Sequence, residues 1–145
     1  MSDALHRLDS VARDFRARLD GLDDGELRRI AHAAARRAVA QTRLEERLVD
    51  GGLEAVGLPG QGSAREAVRK AVQRLDEAAW KAGDDAEAGR SSEAAHAAAF
   101  ARARAAAAVD WALDDDPLTA ALEAVYEAHA AGVPLEDLRA DLGQR

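Results

Sequence analysis

Apolar residues recur every three or four positions along most of this chain, which is the spacing that places them on one face of an α-helix. The pattern runs through six stretches, and turn-forming residues interrupt it between them. The first predicted helix, over about 3–22, has one apolar face formed by Leu5, Leu8, Ala12, Phe15, Leu19 and Leu22. The other stretches follow the same rule, so the pattern predicts an all-α fold.

The second predicted helix begins after a clear start signal. Asp23 and Glu26 have the spacing of a capping box, in which the two residues hydrogen-bond to each other's backbone. This helix is expected to run to about Val49 and to stop at the Gly51-Gly52 pair. The glycine-rich sequence at about 50–63 is then predicted to be a mobile loop around a brief helical turn.

The next two predicted helices form the middle of the chain. Ser63 and Glu66 repeat the capping-box spacing and are expected to begin the third helix, which ends at Gly83. A fourth, alanine-rich helix is predicted from about Ser92 to Leu113.

Two more helices are predicted in the C-terminal part. Asp116 has the chemistry of an N-cap and Pro117 suits the first turn of the fifth helix, which ends at Gly132. A short sixth helix follows Pro134. The chain is therefore predicted to be a single-domain helical bundle over residues 1–145, with five main helices and a short C-terminal one.

Composition and charge narrow the classes of function. Alanine makes up about a quarter of the chain, as is typical of helix-rich proteins. The net charge of −7 opposes non-specific nucleic-acid binding, which depends on basic side chains. Cysteine is absent and no stretch has the length and apolarity of a membrane span, so a cytoplasmic protein is expected. The bias towards alanine, arginine, aspartate and glycine is typical of GC-rich bacterial genomes.

The fourth predicted helix is apolar on two sides. One side carries His96, Phe100 and Trp111, and the opposite side carries Val109 and Leu113. Such a helix either lies at the centre of the bundle or packs on a partner with its second side. We expect His96, Phe100 and Trp111 to bind a partner protein or a second copy of the chain, and Trp80 to join them because tryptophan is enriched at interface hot spots.

Three polar residues fall on predicted core-facing positions of three different helices. They are Glu45, Arg102 and His129. Burying any of them unpaired is costly, so the pattern predicts that some of them pair with each other or line a wet crevice. The alternative is that these side chains lie near helix ends and reach water.

Four arginines, Arg29, Arg36, Arg43 and Arg47, line the side of the second predicted helix opposite its apolar face. They form a possible anion-binding stripe, or simply a solvated face. The C-terminal sequence from Ala128 has the helix, glycine turn and second helix of half a helix-turn-helix, but no recognition helix follows. Nucleic-acid binding is therefore not the expected function.

Metal and cofactor chemistry has little support in the sequence. Glu93 and His96 have the i, i+3 spacing that di-iron bundles use, but no second Glu-x-x-His motif accompanies them. The loop GLPGQGS lacks the lysine and preceding strand of a phosphate-binding loop. We therefore expect no metal, no cofactor and no catalytic residues.

These observations favour a small non-catalytic interaction or regulatory protein, such as an adaptor, an inhibitor or an immunity-type binder, that forms a homodimer. Alanine-rich faces bury little apolar area per residue, and association would add to that burial. Two alternatives remain open. One is a DNA-binding regulator, and the other is an enzyme or metal protein built around Glu45, Arg102 and His129.

Overall fold

The computed structural model describes residues 6–143, and these residues form an all-α fold, as predicted. There are seven α-helices and one short 3₁₀ helix in this part of the chain, more than the six helices expected. Their bounds are the 3₁₀ helix Arg7–Ser10, α1 Arg13–Leu19, α2 Asp24–Thr42, α3 Arg47–Ala55, α4 Gln61–Glu87, α5 Glu93–Ala112, α6 Pro117–Ala130 and α7 Leu135–Leu142.

The C-terminal half of α5 lies at the centre of the fold. It packs against α2, α4 and α6, and every residue from Ala105 to Val109 is buried, which is burial on all sides of the helix. Alanine side chains are short, so they let these helices approach closely. The largest fully buried side chains include Phe15, Leu8 and Leu19 from the N-terminal segment, which supply bulk that the alanines lack.

The first predicted helix is correct in its apolar face and wrong in its continuity. Leu8, Ala12, Phe15 and Leu19 are all buried, as the spacing predicted. However, Ala12 has φ −152° and ψ 80°, which breaks the segment into the 3₁₀ helix and α1. Leu5, the first member of the predicted face, lies outside the described residues.

The end of the second helix and the glycine-rich loop require correction. α2 ends at Thr42, because Arg43 adopts a left-handed conformation with φ 53° and ψ 37°. The Gly51-Gly52 pair does not stop a helix but lies inside α3. The connection before α4 is therefore only residues 56–60, much shorter than the loop predicted at 50–63.

The reason for a glycine inside α3 is a close approach of helices. A Cβ atom on Gly52 would collide with the Val68 side chain of α4 and would lie 3.0 Å from Cγ1 of Val109 and 3.3 Å from Cδ1 of Leu113 at the end of α5. The neighbouring Gly51 is exposed and has open space around it. A helix-breaking residue type is thus used here for packing, and the packing outweighs its low helix propensity.

The predicted start of the third helix is also wrong, whereas the caps predicted at Asp23 and Asp116 are confirmed. α4 begins after Gly60, two residues before Ser63, and it continues through Gly83 to Glu87. Side-chain capping bonds are present at the starts of α2, α5 and α6, where the capping residues are Asp23, Ser92 and Asp116.

The last helix is joined to α2 by an ion pair whose carboxylate is buried. The Arg37 guanidinium donates two hydrogen bonds to the Asp141 carboxylate, with distances of 2.7 and 2.9 Å. Arg29 of α2 donates to the Asp141 backbone carbonyl at 3.1 Å. Together with the buried Leu138 and Leu142, these bonds hold α7 against the bundle as a closing helix.

The two adjacent glycines of α3 provide a matched test of this packing. Replacing Gly52 with alanine is expected to lower the free energy of unfolding by about 2 kcal/mol, because the added methyl group overpacks the contact with α4 and α5. Replacing Gly51 with alanine is expected to raise it by about 0.5 to 1 kcal/mol, because alanine is the better helix former. Urea denaturation measures both changes, and equal effects of the two substitutions would contradict this account.

Candidate functional site

α4 and α5 pack as an antiparallel pair, and the end of this pair that contains their connection extends beyond the core. No residue from Trp80 to Arg102 is buried, in contrast to the fully buried run in the second half of α5. The connection between the two helices is the short turn 88–92. α5 therefore has two parts, one central to the fold and one that is open to solvent.

A groove of about 670 Å³ lies along this open part. We call it the hairpin groove, and its lining residues are Asp76, Ala79, Trp80, Gly83, Asp84, Glu87, Glu93, His96, Phe100 and Arg104. Two large aromatic side chains in it are exposed to solvent, Trp80 to 77% and Phe100 to 47%. Exposure of this size is unusual for these residue types and marks the groove as a candidate contact surface.

The close packing of His96 against α4 depends on a glycine. The His96 ring lies over Gly83, with its Nε2 atom 3.1 Å and its Cε1 atom 3.3 Å from where a Cβ on that residue would be. Gly83 was predicted to end its helix, but it lies within α4. Its lack of a side chain lets the imidazole of α5 pack against the backbone of α4.

An ion network lies at the end of the groove formed by Asp76 and Arg104, which we call its inner end. The Arg104 guanidinium of α5 donates to Asp76 of α4 at 2.7 Å and to Glu127 of α6 at 2.8 Å. It also lies 5.7 Å above the centre of the Phe100 ring. Three helices are thus joined at one side chain, and the aromatic ring is held in place by the same arginine.

Glu127 is the buried member of this network. Only 2% of the residue is exposed, and desolvation by burial raises the pKa of its carboxyl, while the Arg104 charge opposes that shift. A buried carboxylate needs a partner to remain charged, and here the partner is Arg104. The Nε atom of Arg104 is buried without a hydrogen-bond partner within residues 6–143.

The other carboxylates of the groove have no strong partner. Asp84 and Glu87 form no ion pair with any described residue, and Glu93 reaches only the His96 ring, with Oε2 3.8 Å from Nδ1. The nearby cations of the hairpin bind elsewhere, since Lys81 and Arg90 both contact Asp85. The groove therefore combines exposed aromatic rings with uncompensated negative charge.

Three of the four residues expected to contact a partner come together here. Trp80, His96 and Phe100 all line the hairpin groove. Trp111 does not, because it lies 11 residues after Phe100 on the same helix, about 16 Å further along its axis. It is half-buried at the other end of the α4–α5 interface, where the Arg65 guanidinium is 5.4 Å from its ring.

The expected inward cluster of Glu45, Arg102 and His129 does not form. Glu45 is exposed, because α2 ends before it and its predicted helical position does not exist. Arg102 and His129 are half-buried, and Nδ1 of His129 is 3.2 Å from the Val133 carbonyl oxygen. No hydrogen bond or ion pair joins any two of these three residues, all of which the structure describes.

The arginine stripe is likewise divided. Arg29 and Arg36 lie on α2, Arg43 is the left-handed residue after it and Arg47 begins α3. Arg29 is half-buried and bonded to α7, whereas the other three are exposed. The four arginines do not form one face of one helix, because the helix that would have carried them ends at Thr42.

Sequence reasoning missed Asp76, Asp84, Glu87 and Arg104 and considered Glu93 only as a metal ligand, although a signal was present. Asp76, Trp80, Gly83 and Glu87 recur at helical spacing on α4. The matching stripe on α5 consists of Glu93, His96, Phe100 and Arg104. Only the antiparallel packing of the two helices shows that these stripes face each other.

No helix in residues 6–143 has the length and apolarity required to cross a membrane. No group of three or more histidine, aspartate or glutamate side chains in this range is arranged to hold a metal ion, so the Glu93 and His96 pair stands alone.

The ion network predicts a pH-dependent effect of removing its arginine. Arg104→Leu leaves Glu127 buried without its counter-charge, so we expect the free energy of unfolding near pH 7 to fall by about 2 kcal/mol. The folded-state pKa of Glu127, already raised, rises further in this variant. A carboxyl whose pKa is higher in the folded state than in the unfolded state binds more protons when the protein is folded. Its favourable contribution to the free energy of unfolding is therefore present below its ordinary pKa of 4.5 and is lost as the pH rises through the folded-state pKa.

The defect of Arg104→Leu should therefore be smaller near pH 4 than near pH 7, as measured by urea unfolding at both values. The control is the double variant Arg104→Leu/Glu127→Gln, which has no carboxyl at this position and should lose most of that pH dependence. A defect of equal size at both pH values in the single variant would contradict the assignment.

Comparison with known proteins adds no relationship to this description. No family model, no curated protein and no solved structure matches the chain.

Proposed function

We propose that this is a non-catalytic protein-interaction protein that binds a segment of a partner protein in the hairpin groove. The observation that carries the proposal is the joint exposure of Trp80 and Phe100 in one concave surface. Burying a large aromatic side chain is worth about 1.5 to 3 kcal/mol. In the free protein these rings remain exposed to water, and a partner that covers them would gain this free energy.

The form of the site supports the same proposal. Interface hot spots are enriched in tryptophan and combine an apolar centre with a polar rim. In the hairpin groove, the rings of Trp80 and Phe100 are surrounded by carboxylates and one histidine. The Arg104 network holds the inner end in a defined arrangement, so less conformational freedom is lost when a partner binds.

Both alternatives have less support than the groove. The enzyme or metal-protein alternative was built around Glu45, Arg102 and His129, and no hydrogen bond or ion pair joins these residues. The DNA-binding alternative was built on the incomplete helix-turn-helix-like C-terminus, and the second helix of that segment, α7, is held against α2 by the Arg37–Asp141 ion pair. A regulatory, inhibitory or adaptor role is compatible with the groove.

Self-association remains part of the proposal, through exposed residues of α5 that do not line the groove. The exposed part of α5 carries four exposed alanines, Ala94, Ala95, Ala97 and Ala98, whose short side chains permit close helix packing. Sedimentation velocity over a range of protein concentrations tests it. A wild-type monomer at every concentration would rule this mode out.

Selection of peptides tests the proposed function directly. We expect a display library of random peptides, selected on the full chain, to yield binders whose affinity falls by about tenfold or more in Trp80→Ala. Trp80 is exposed, so this substitution should leave the circular dichroism spectrum and the thermal unfolding midpoint nearly unchanged.

The matched control is Leu58→Ala, which truncates another exposed apolar side chain, 57% exposed and outside the groove. The selected peptides should bind this variant as tightly as the wild-type protein. If the selection yields no peptide whose binding depends on Trp80, the proposed function is wrong.

A further inference from the structure

We infer that the hairpin groove binds a cationic amphipathic segment of its partner, with lysine or arginine side chains beside an apolar anchor. This inference rests on the proposed function and adds the chemistry of the partner. It depends on three features of the groove: its exposed aromatic rings, its carboxylates without an arginine or lysine partner among the described residues, and the engagement of its one arginine, Arg104, by Asp76 and Glu127.

The aromatic rings provide two kinds of contact. Phe100 already has the Arg104 guanidinium above it at 5.7 Å, so the groove itself contains one cation placed over an aromatic face. Trp80 has no such cation and no ring contact with any residue of 6–143. Tryptophan is the aromatic side chain that attracts cations most strongly, so a partner's lysine or arginine is favoured over its ring.

The charges select the sign of the partner. Asp76 and Glu127 are occupied by Arg104, whereas Asp84, Glu87 and Glu93 lie in the groove with no arginine or lysine bonded to them among the described residues. Lys81 and Arg90, the nearest cations in sequence, are bound to Asp85, with distances of 3.8 and 3.0 Å. A cationic segment would supply the missing counter-charges.

The same charges disfavour the other candidate occupants. A second copy of this chain carries a net charge of −7, and two hairpins meeting through their grooves would bring like charges together. Nucleic acid would be repelled by the same carboxylates. Charge complementarity therefore favours a basic partner over both.

A pair of synthetic peptides tests this inference. The first is an amphipathic helical peptide of leucine and lysine, and the second has glutamate at every lysine position. The Trp111→Phe variant of the full chain leaves Trp80 as the only tryptophan, so its fluorescence reports on the groove. We expect the lysine peptide to shift the Trp80 emission to shorter wavelength and to bind about tenfold or more tightly than the glutamate peptide at low salt.

A charge reversal in the groove adds a matched comparison. Glu87→Lys should weaken binding of the lysine peptide by about threefold to tenfold and should strengthen binding of the glutamate peptide. Glu66→Lys changes the net charge of the protein by the same amount, but Glu66 is an exposed residue of α4 outside the groove. This control should bind both peptides nearly as the wild-type protein does.

The outcomes separate the two proposals. If Trp80-dependent peptides are found but they are acidic, or if the lysine and glutamate peptides bind equally, the cationic partner is wrong and the proposed function stands. If neither the synthetic nor the selected peptides depend on Trp80, both proposals fail. If only the wild-type chain itself binds to the groove, a second copy is the occupant and the cationic partner is again wrong.

Discussion

The close packing of alanine around α5 is the constraint on which the rest of this structure depends. The run from Ala105 to Val109 is buried on all sides, so α5 touches α2, α4 and α6 at once. Short side chains allow that approach, but they bury little area each. Bulk comes from larger side chains distributed along the chain, among them Leu8, Phe15, Ile30 and Leu113. Gly52 follows the same logic, because only a residue without a side chain fits against the ends of α4 and α5.

Placing half of α5 in the core leaves the other half, with the end of α4, outside it. The core and this exposed part are connected by the Arg104 network, in which a buried carboxylate of α6 and a groove carboxylate of α4 share one guanidinium. Arg104 therefore contributes both to the stability of the fold and to the candidate interaction surface. The same guanidinium lies over the ring of Phe100, one of the two exposed aromatic side chains of the groove.

Particular residues show where sequence reasoning succeeded and where it failed. The apolar faces and the caps at Asp23 and Asp116 were predictable because each depends on neighbours a few positions away. The glycine pair of α3 and the left-handed Arg43 were not, because distant packing overrides local propensity there. The prediction that the second helix continues past Thr42 also placed Glu45 wrongly and put four arginines on one helix, although they lie on separate elements.

The sequence by itself determined that the described chain is helical, which faces of its helices are apolar, and that Trp80, His96 and Phe100 are candidates for contact. These properties follow from the spacing of residue types along one helix, which is local. The tertiary structure alone decided that α5 is central in one half and exposed in the other. It also decided that two stripes from antiparallel helices form one acidic, aromatic groove, while Trp111 lies elsewhere. Such properties depend on which helices pack together and in which register, and no spacing within a single helix contains that information.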